Sequence, residues 1–391
     1  MPIYPDREPF PRLGMHSRIL ESKTMINGKI LIVGGYGSVG RVIATTLGKR
    51  FPGRVVAAGR NYHKAKQLSS ETQQQVLPLA LDIYKLRESE LRDVAVVVTC
   101  IDQGDTQFVE QCLRRGIHYV DISASYKFLS KIEALDSEAR KHGSTVVLSV
   151  GLAPGLTNLL VSYCQSVFEA LEQVDIFIML GSGEVPGKES ILWILENLDT
   201  EFLVREKGVL KQVRSFEDSK ETVFPDEFGR RRAYRFNFSD RHAIAKTFGI
   251  DSISTWVCFD LALVTQLFAL STKIGLSKAL RSGILKNLLV KIFQTFQFGS
   301  DKFEIEVDAR GIVDGNFARY EPSIRGQKEG MITGLVAAKV AEHLYTSSLP
   351  SGVFHIEQLF DPLEFIESLN GNGLIFSRSE LKPESAGSTT I

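Results

Sequence analysis

Glycines 35, 37 and 40 stand at the G-x-G-x-x-G spacing within KILIVGGYGSVG, Lys29–Gly40. The chemistry that spacing serves is anion binding: backbone N–H groups at a helix start, helped by the helix dipole, meet a phosphate. Gly35 is expected to let the chain turn, Gly37 to leave room for a pyrophosphate, and Gly40 to let the next helix lie close to the strand. Tyr36, Ser38 and Val39 fall between them and belong to the same contact set. A buried strand, Ile30–Val33, feeds the turn, and a helix-compatible segment follows it. That setting turns the spacing from a weak pattern into a dinucleotide-binding one.

The second strand is expected to select the dinucleotide. It ends Ala57–Ala58–Gly59–Arg60–Asn61, with no carboxylate to accept from ribose hydroxyls. Arg60 stands where a guanidinium pairs with a ribose 2′-phosphate and stacks on adenine, and Asn61, His63 and Lys64 add donors nearby. The expected cofactor is therefore NADP(H). Two further strand ends, Asp82–Ile83 and Cys100–Ile101–Asp102, should border it, because ligands of open α/β sheets bind outside the carboxyl ends of the strands.

Hydride transfer also needs a donor for the atom that gains electrons. His118, Tyr119, Asp121, Ser123, Tyr126 and Lys127 cluster on and after the fifth strand. Asp121 is the first catalytic candidate, with a loop-capping role as its alternative. Tyr126 and Lys127 are the next candidates, though they are also ordinary residues before a helix. His118 opens a strand and reads more readily as a core histidine. Two other patterns are set aside. Tyr62 and Lys66 have Y-x-x-x-K spacing but sit beside the adenosine, and Cys100 has no evident histidine partner. Arg230, Arg231, Arg232 and Arg235, beside Tyr234, form a cationic group able to take a substrate carboxylate or to remain a solvated face.

The elements that must position these residues follow from the hydrophobic pattern. The 391 residues, 43% of them hydrophobic, suffice for two or three domains. Lys plus Arg equals Asp plus Glu at 46 each, so no net field favours nucleic acid or a membrane surface. Four well-separated cysteines form no C-x-x-C pair, which argues against a disulfide framework or a bound metal. No apolar run is long enough to span a bilayer, and the proline-containing start lacks a signal-peptide core. A cytoplasmic protein is expected.

Residues 1–26 read as a loose tail, with Met1, Met15 and Met25 as candidate starts. Residues 27–150 alternate short buried strands with one-sided helices and predict an α/β doubly wound parallel sheet, a Rossmann domain. Helices are expected over 38–49, 62–69, 86–92, 106–115 and 128–142 within it. A second α/β (α+β) domain for substrate and dimerisation is expected over 151–372. There the apolar helix Ile332–Leu344 is placed to pack back on the first domain, and a frayed tail over 373–391 follows.

VGGYGSVG, AGRN, LDI at Leu81–Ile83, GIHYVDIS at 116–123 and GLAPGLTNLL at 151–160 together resemble the saccharopine dehydrogenase-like (saccharopine reductase) family of NADP-binding oxidoreductases. GVFHIEQLFDP at 352–362 is similar to that family's C-terminal stretch. The resemblance implies a Rossmann domain joined to a second domain that closes over substrate and often dimerises, and reduction of an imine formed from an amino acid and an aldehyde. Ala153 stands where those enzymes usually show aspartate, which separates this chain from saccharopine itself. The expected activity is transfer of hydride to or from an imine or carbonyl carbon of a small molecule. The rival readings are a non-turning-over NADP(H) sensor and a carbonyl reductase for apolar substrates, the latter prompted by Phe293, Phe296 and Phe298.

Overall fold

A computed structural model describes residues 26–183, 188–206, 208–225, 228–276, 283–295 and 299–384. Of the expected tails at 1–26 and 373–391, residues 1–25 and 385–391 lie outside the described residues, as do Phe296, Phe298 and the side chain of Phe293.

The first half alternates strictly. It runs β1 (Lys29–Val33), α1 (Ser38–Arg50), β2 (Val55–Gly59), α2 (Tyr62–Glu71), β3 (Val76–Ala80), β4 (Val94–Thr99), α3 (Gln107–Leu113) and β5 (His118–Asp121). Then come α4 (Tyr126–Glu133), α5 (Asp136–Lys141) and β6 (Thr145–Leu148). Gly40, Ile43, Ala44, Leu47 and Gly48 form the buried stripe of α1, the i, i+3, i+4, i+7 pattern of a helix lying on a sheet. Two expected helices changed. Residues 86–92 form only a single 3₁₀ turn, Glu88–Leu91, because so short a segment cannot offset helix nucleation. The expected 128–142 helix starts at Tyr126 and breaks at Leu135, after which Asp136 and Glu138 place acid in the first turn of α5.

The second half holds α6 (Thr157–Val167), β7 (Ala170–Leu180), α7 (Lys188–Asn197), β8 (Glu201–Glu206), β9 (Val209–Arg214), β10 (Ser219–Phe224) and β11 (Gly229–Arg235). It continues through α8 (Asp240–Phe248), β12 (Ser252–Phe259), α9 (Ala262–Lys273), α10 (Gly283–Thr295), β13 (Lys302–Val313), β14 (Asn316–Tyr320) and β15 (Ser323–Gln327). The chain ends with α11 (Glu329–Thr346), β16 (Gly352–His355), α12 (Pro362–Ser368), β17 (Ile375–Ser377) and β18 (Lys382–Pro383). The helix α6 stops at Val167, and Leu171 just beyond it is paired with Gly311 of β13. A side chain at 311 would meet the Ala170 carbonyl at 2.0 Å, so glycine is what permits that pairing. β17 and β18 pair with β15 and β14, so part of the stretch expected to fray is ordered sheet.

The first sheet has the order β16-β6-β5-β4-β1-β2-β3, with every pair parallel. Its direction of growth reverses between β1 and β4, and this switch point opens the crevice where ligands of such sheets bind. β16 comes from residues 352–355, inside the range assigned from sequence to the second domain, so the chain returns to finish the first. The second sheet runs β10-β11-β12-β7-β13-β14-β18 and mixes parallel with antiparallel pairs. α11 lies against α1: a side chain at Gly334 would come within 2.7 Å of Val42. One connected core runs from Ile30 and Ile43 through Leu156, Leu160 and Val336 to Val174 and Ile305. The two sheets therefore share an interior.

Candidate cofactor site and domain seam

At the switch point the glycines take unequal parts. The turn falls on Gly34, whose φ of +82° suits glycine, and not on Gly35 as the spacing implied. Gly35 is needed for closeness instead: a Cβ there would lie 2.9 Å from the Ala57 Cα. A Cβ on Gly40 would strike the Gly34 carbonyl oxygen at 2.2 Å, so this glycine lets α1 begin immediately above the turn. A Cβ on Gly37 would meet only the Gly34 carbonyl oxygen, at 3.2 Å, and the residue is exposed.

Gly37 is also the N-cap of α1, with no side-chain cap and no acid in the first turn. Most helices satisfy these first amides with a Ser, Asp or Asn oxygen. Here an exposed helix start faces the crevice with its positive end uncovered, which is the condition for binding a phosphate group.

Tyr36 spans from this loop to the end of β2. Its ring fills the space a side chain at Gly59 would need, 2.5 Å from the hydroxyl, and that hydroxyl accepts from the Asn61 N–H at 3.0 Å. Asn61 in turn caps α2, accepting from the Lys64 N–H at 3.2 Å. Arg60, His63 and Lys64 are exposed around it, and Arg60 has no ion-pair partner among the described residues. The cradle and the cation fit a dinucleotide carrying an extra ribose phosphate.

On the other side of the crevice the Cys100 N–H donates to the Val33 carbonyl at 2.9 Å, and Ile101 leans over Gly34. Burial, reinforced by the Asp121 charge, pushes the Cys100 thiol far above its ordinary value, so it is no nucleophile. Asp82 holds a 3₁₀ turn by accepting from the Tyr84 N–H at 3.1 Å. Ile83 is buried in the same cluster as Phe108.

The structure gives Asp121 full occupation. It is 1% exposed; Oδ2 accepts from the Tyr119 hydroxyl at 2.9 Å and from Gln103 at 3.2 Å, and Oδ1 accepts from the Ser123 N–H at 2.8 Å. Burial pushes its pKa up to about 6 against the pull of those donors. The carboxylate thus ties the loops after β4 and β5 together. His118 accepts from the Thr145 N–H at 3.0 Å, and burial lowers its basicity, as befits a core histidine. Arg230 and Arg232 both pair with Glu221 of the same hairpin. Arg235 is buried against Glu206, Asp218 and the Trp256 ring, which makes it part of the interior.

The seam between the domains is built largely from residues that no local pattern marks. Tyr126, at the start of α4, stacks on His242 of α8 with ring centroids 4.2 Å apart and planes within 2°. Burial and the adjacent Arg241 hold His242 well below its usual basicity. Arg241 donates to its Nε2 at 2.7 Å, which leaves the ring proton on Nδ1. Lys127 beside Tyr126 is exposed. Deeper in the seam, Glu133 pairs with Lys246 and, at 3.0 Å, with His355 Nε2, whose Nδ1 lies 2.8 Å from Ser149 Oγ. Burial opposes ionisation of Glu133, but the His355 and Lys246 contacts hold its carboxyl below the ordinary value. Glu357 accepts from Asn158 and Thr247, both at 3.0 Å, and joins α6 to α8. GVFHIEQ was the one local signal for this cluster; nothing near Glu133 or His242 marks them.

Residues 30–147 match the family model described as the saccharopine dehydrogenase NADP binding domain. The first domain is accordingly an NADP-binding domain of the saccharopine dehydrogenase-like type, and its cofactor is NADP(H). Across nearly the whole chain the fold is similar to apo saccharopine dehydrogenase (L-Glu forming) from Saccharomyces cerevisiae. The match has 15% identity, covers 90% of this chain and 100% of that one, and has a TM-score of 0.61. A looser overlay joins C. glutamicum DAP dehydrogenase in complex with DAP, at 12% identity, 88% and 98% coverage and a TM-score of 0.43. No curated protein matches the chain at a significant level.

Proposed function

We propose that this chain is an NADP(H)-dependent oxidoreductase that moves hydride to or from an imine or carbonyl carbon of a small, amino-acid-derived molecule. The observation that carries the reading is the uncapped start of α1 at Gly37, exposed in the crevice with unpaired Arg60 nearby. The α1 amides from Ser38 to Gly40 would hold the pyrophosphate, Arg60 the 2′-phosphate, and Asn61 with the Tyr36 hydroxyl would fix the loop between them. Cys100 and Ile101 would wall the ribose side. When bound, the cofactor supplies the hydride. The chain's contribution is to orient the acceptor and exclude water.

Asp121 already accepts from Gln103, Tyr119 and Ser123, and His242 is stacked on Tyr126. An iminium acceptor suits such a site, because it arrives already protonated and asks less of a protein acid. Tyr126 and Lys127, at the start of α4, would be the side chains to touch it. The same occupied groups also favour the sensor reading, in which NADP(H) binds without turnover. NADPH oxidation with a panel of keto acids and aldehydes, each with and without amines, separates the two. Tight NADPH binding with no turnover across the panel would replace the enzyme with the sensor. A homodimer in the cytoplasm completes the proposal, checked by light scattering and fractionation.

A further inference from the structure

The balanced net charge conceals one stretch with a different character. Residues 261–300 contain Lys273, Lys278, Arg281, Lys286 and Lys291 and not one aspartate or glutamate. Within it α9 turns an apolar stripe outward. Leu263, Leu267, Leu270 and Ile274 are 66%, 56%, 52% and 64% exposed, while Thr265, Phe268 and Ser271 are buried beneath. The spacing i, i+4, i+7, i+11 keeps these four side chains within one narrow face of the helix. Leu261 and Leu276 extend the exposed apolar surface at either end, and Leu288 of α10 adds a further exposed position. Lys273 and Lys291 are exposed and have no ion-pair partner among the described residues, whereas Lys286 pairs with Glu196 at 3.0 Å.

A single exposed leucine needs no explanation, but a continuous helical stripe of them does. Its setting in a purely cationic segment indicates the partner. Apolar side chains that enter an acyl layer, flanked by cations at headgroup level, describe a helix lying in the plane of an anionic lipid surface. Among the described residues no helix is long and apolar enough to cross a membrane, so this contact is peripheral. We propose that α9 docks the protein on a membrane surface bearing anionic headgroups.

The test uses the full chain and sedimentation with vesicles of phosphatidylcholine alone or of equimolar phosphatidylcholine and phosphatidylserine. Association is expected with the mixed vesicles, weaker with phosphatidylcholine alone, and reduced by salt. Lys273→Glu should weaken it several-fold, since each cation near such a surface is worth roughly fivefold. Replacing Leu263, Leu267, Leu270 and Ile274 together by Gln should abolish it while NADPH affinity and far-ultraviolet circular dichroism stay at parental values. Should the quadruple variant misfold, Leu267→Gln alone is expected to give a several-fold loss. No association with the mixed vesicles, or association indifferent to the leucines, overturns the proposal. So does a self-association of the parent that the quadruple variant loses while vesicle binding is absent, which would make the stripe a contact between two copies.

Discussion

Arg60 carries the most informative single substitution. A charge-assisted hydrogen bond to a phosphate contributes about 1.5–3 kcal/mol, so Arg60→Asp should weaken NADPH roughly ten- to a hundred-fold. NADH, which lacks the 2′-phosphate, should change little. Equal losses in calorimetry would detach Arg60 from the ribose. Asp121 is the complementary case. If its carboxylate holds the loops after β4 and β5 together, Asp121→Asn should lower thermal stability and NADPH affinity together, because Gln103 and Tyr119 both lose an ionic acceptor. A variant with parental stability and affinity but a collapsed kcat would instead make Asp121 catalytic.

At the scale of elements, β13 offers a pH-dependent prediction. Glu304 and Glu306 alternate onto one face of this strand, and both have a pKa pushed up to about 7. Burial is the main cause, and for Glu304 the Glu306 charge adds to it. Glu304 is 1% exposed, and its Oε1 has no hydrogen-bond partner among the described residues. An ordinary glutamate in the unfolded chain titrates near 4.3. Between about pH 4 and 7 the folded state thus binds more protons than the unfolded one, and stability falls as pH rises through that window. Glu304→Gln keeps the shape without the ionisable proton, so it should exceed the parent by about 1 kcal/mol at pH 8 and gain less at pH 5. Urea unfolding at the two pH values measures the difference; an equal gain at both would show that Glu304 ionises normally.

At the scale of the molecule, the shared interior and the returning β16 make the two domains mutually dependent. The core joins Ile43 of the first sheet's helix layer to Ile305 of the second sheet through Val336 and Leu160, and Glu133, His355 and Glu357 lock the seam. One calorimetric transition is expected, not two. NADPH at about a hundred times its dissociation constant should add about 2.7 kcal/mol and raise that transition as a unit. Two separable transitions, only one of them moved by NADPH, would show that the seam does not couple the halves.

The sequence alone determined β1, the glycine turn, the following strands of the first sheet and the arginine at the end of β2, because each is written in contiguous residues. Local periodicity and backbone sterics decide such features, and they operate over a few positions. It misplaced the turn by one residue, since whether Gly34 or Gly35 takes the positive φ depends on how closely Ala57 packs behind the loop. Tertiary structure alone showed that residues 352–355 complete the first sheet and that Asp121 accepts from Gln103 and Tyr119. It alone brought Tyr126 to His242, and Ser149 and Glu133 to His355. Those pairs are separated by up to 222 positions along the chain, and no local rule of spacing reaches that far. Their meeting is set by which faces the sheets and helices must bury together.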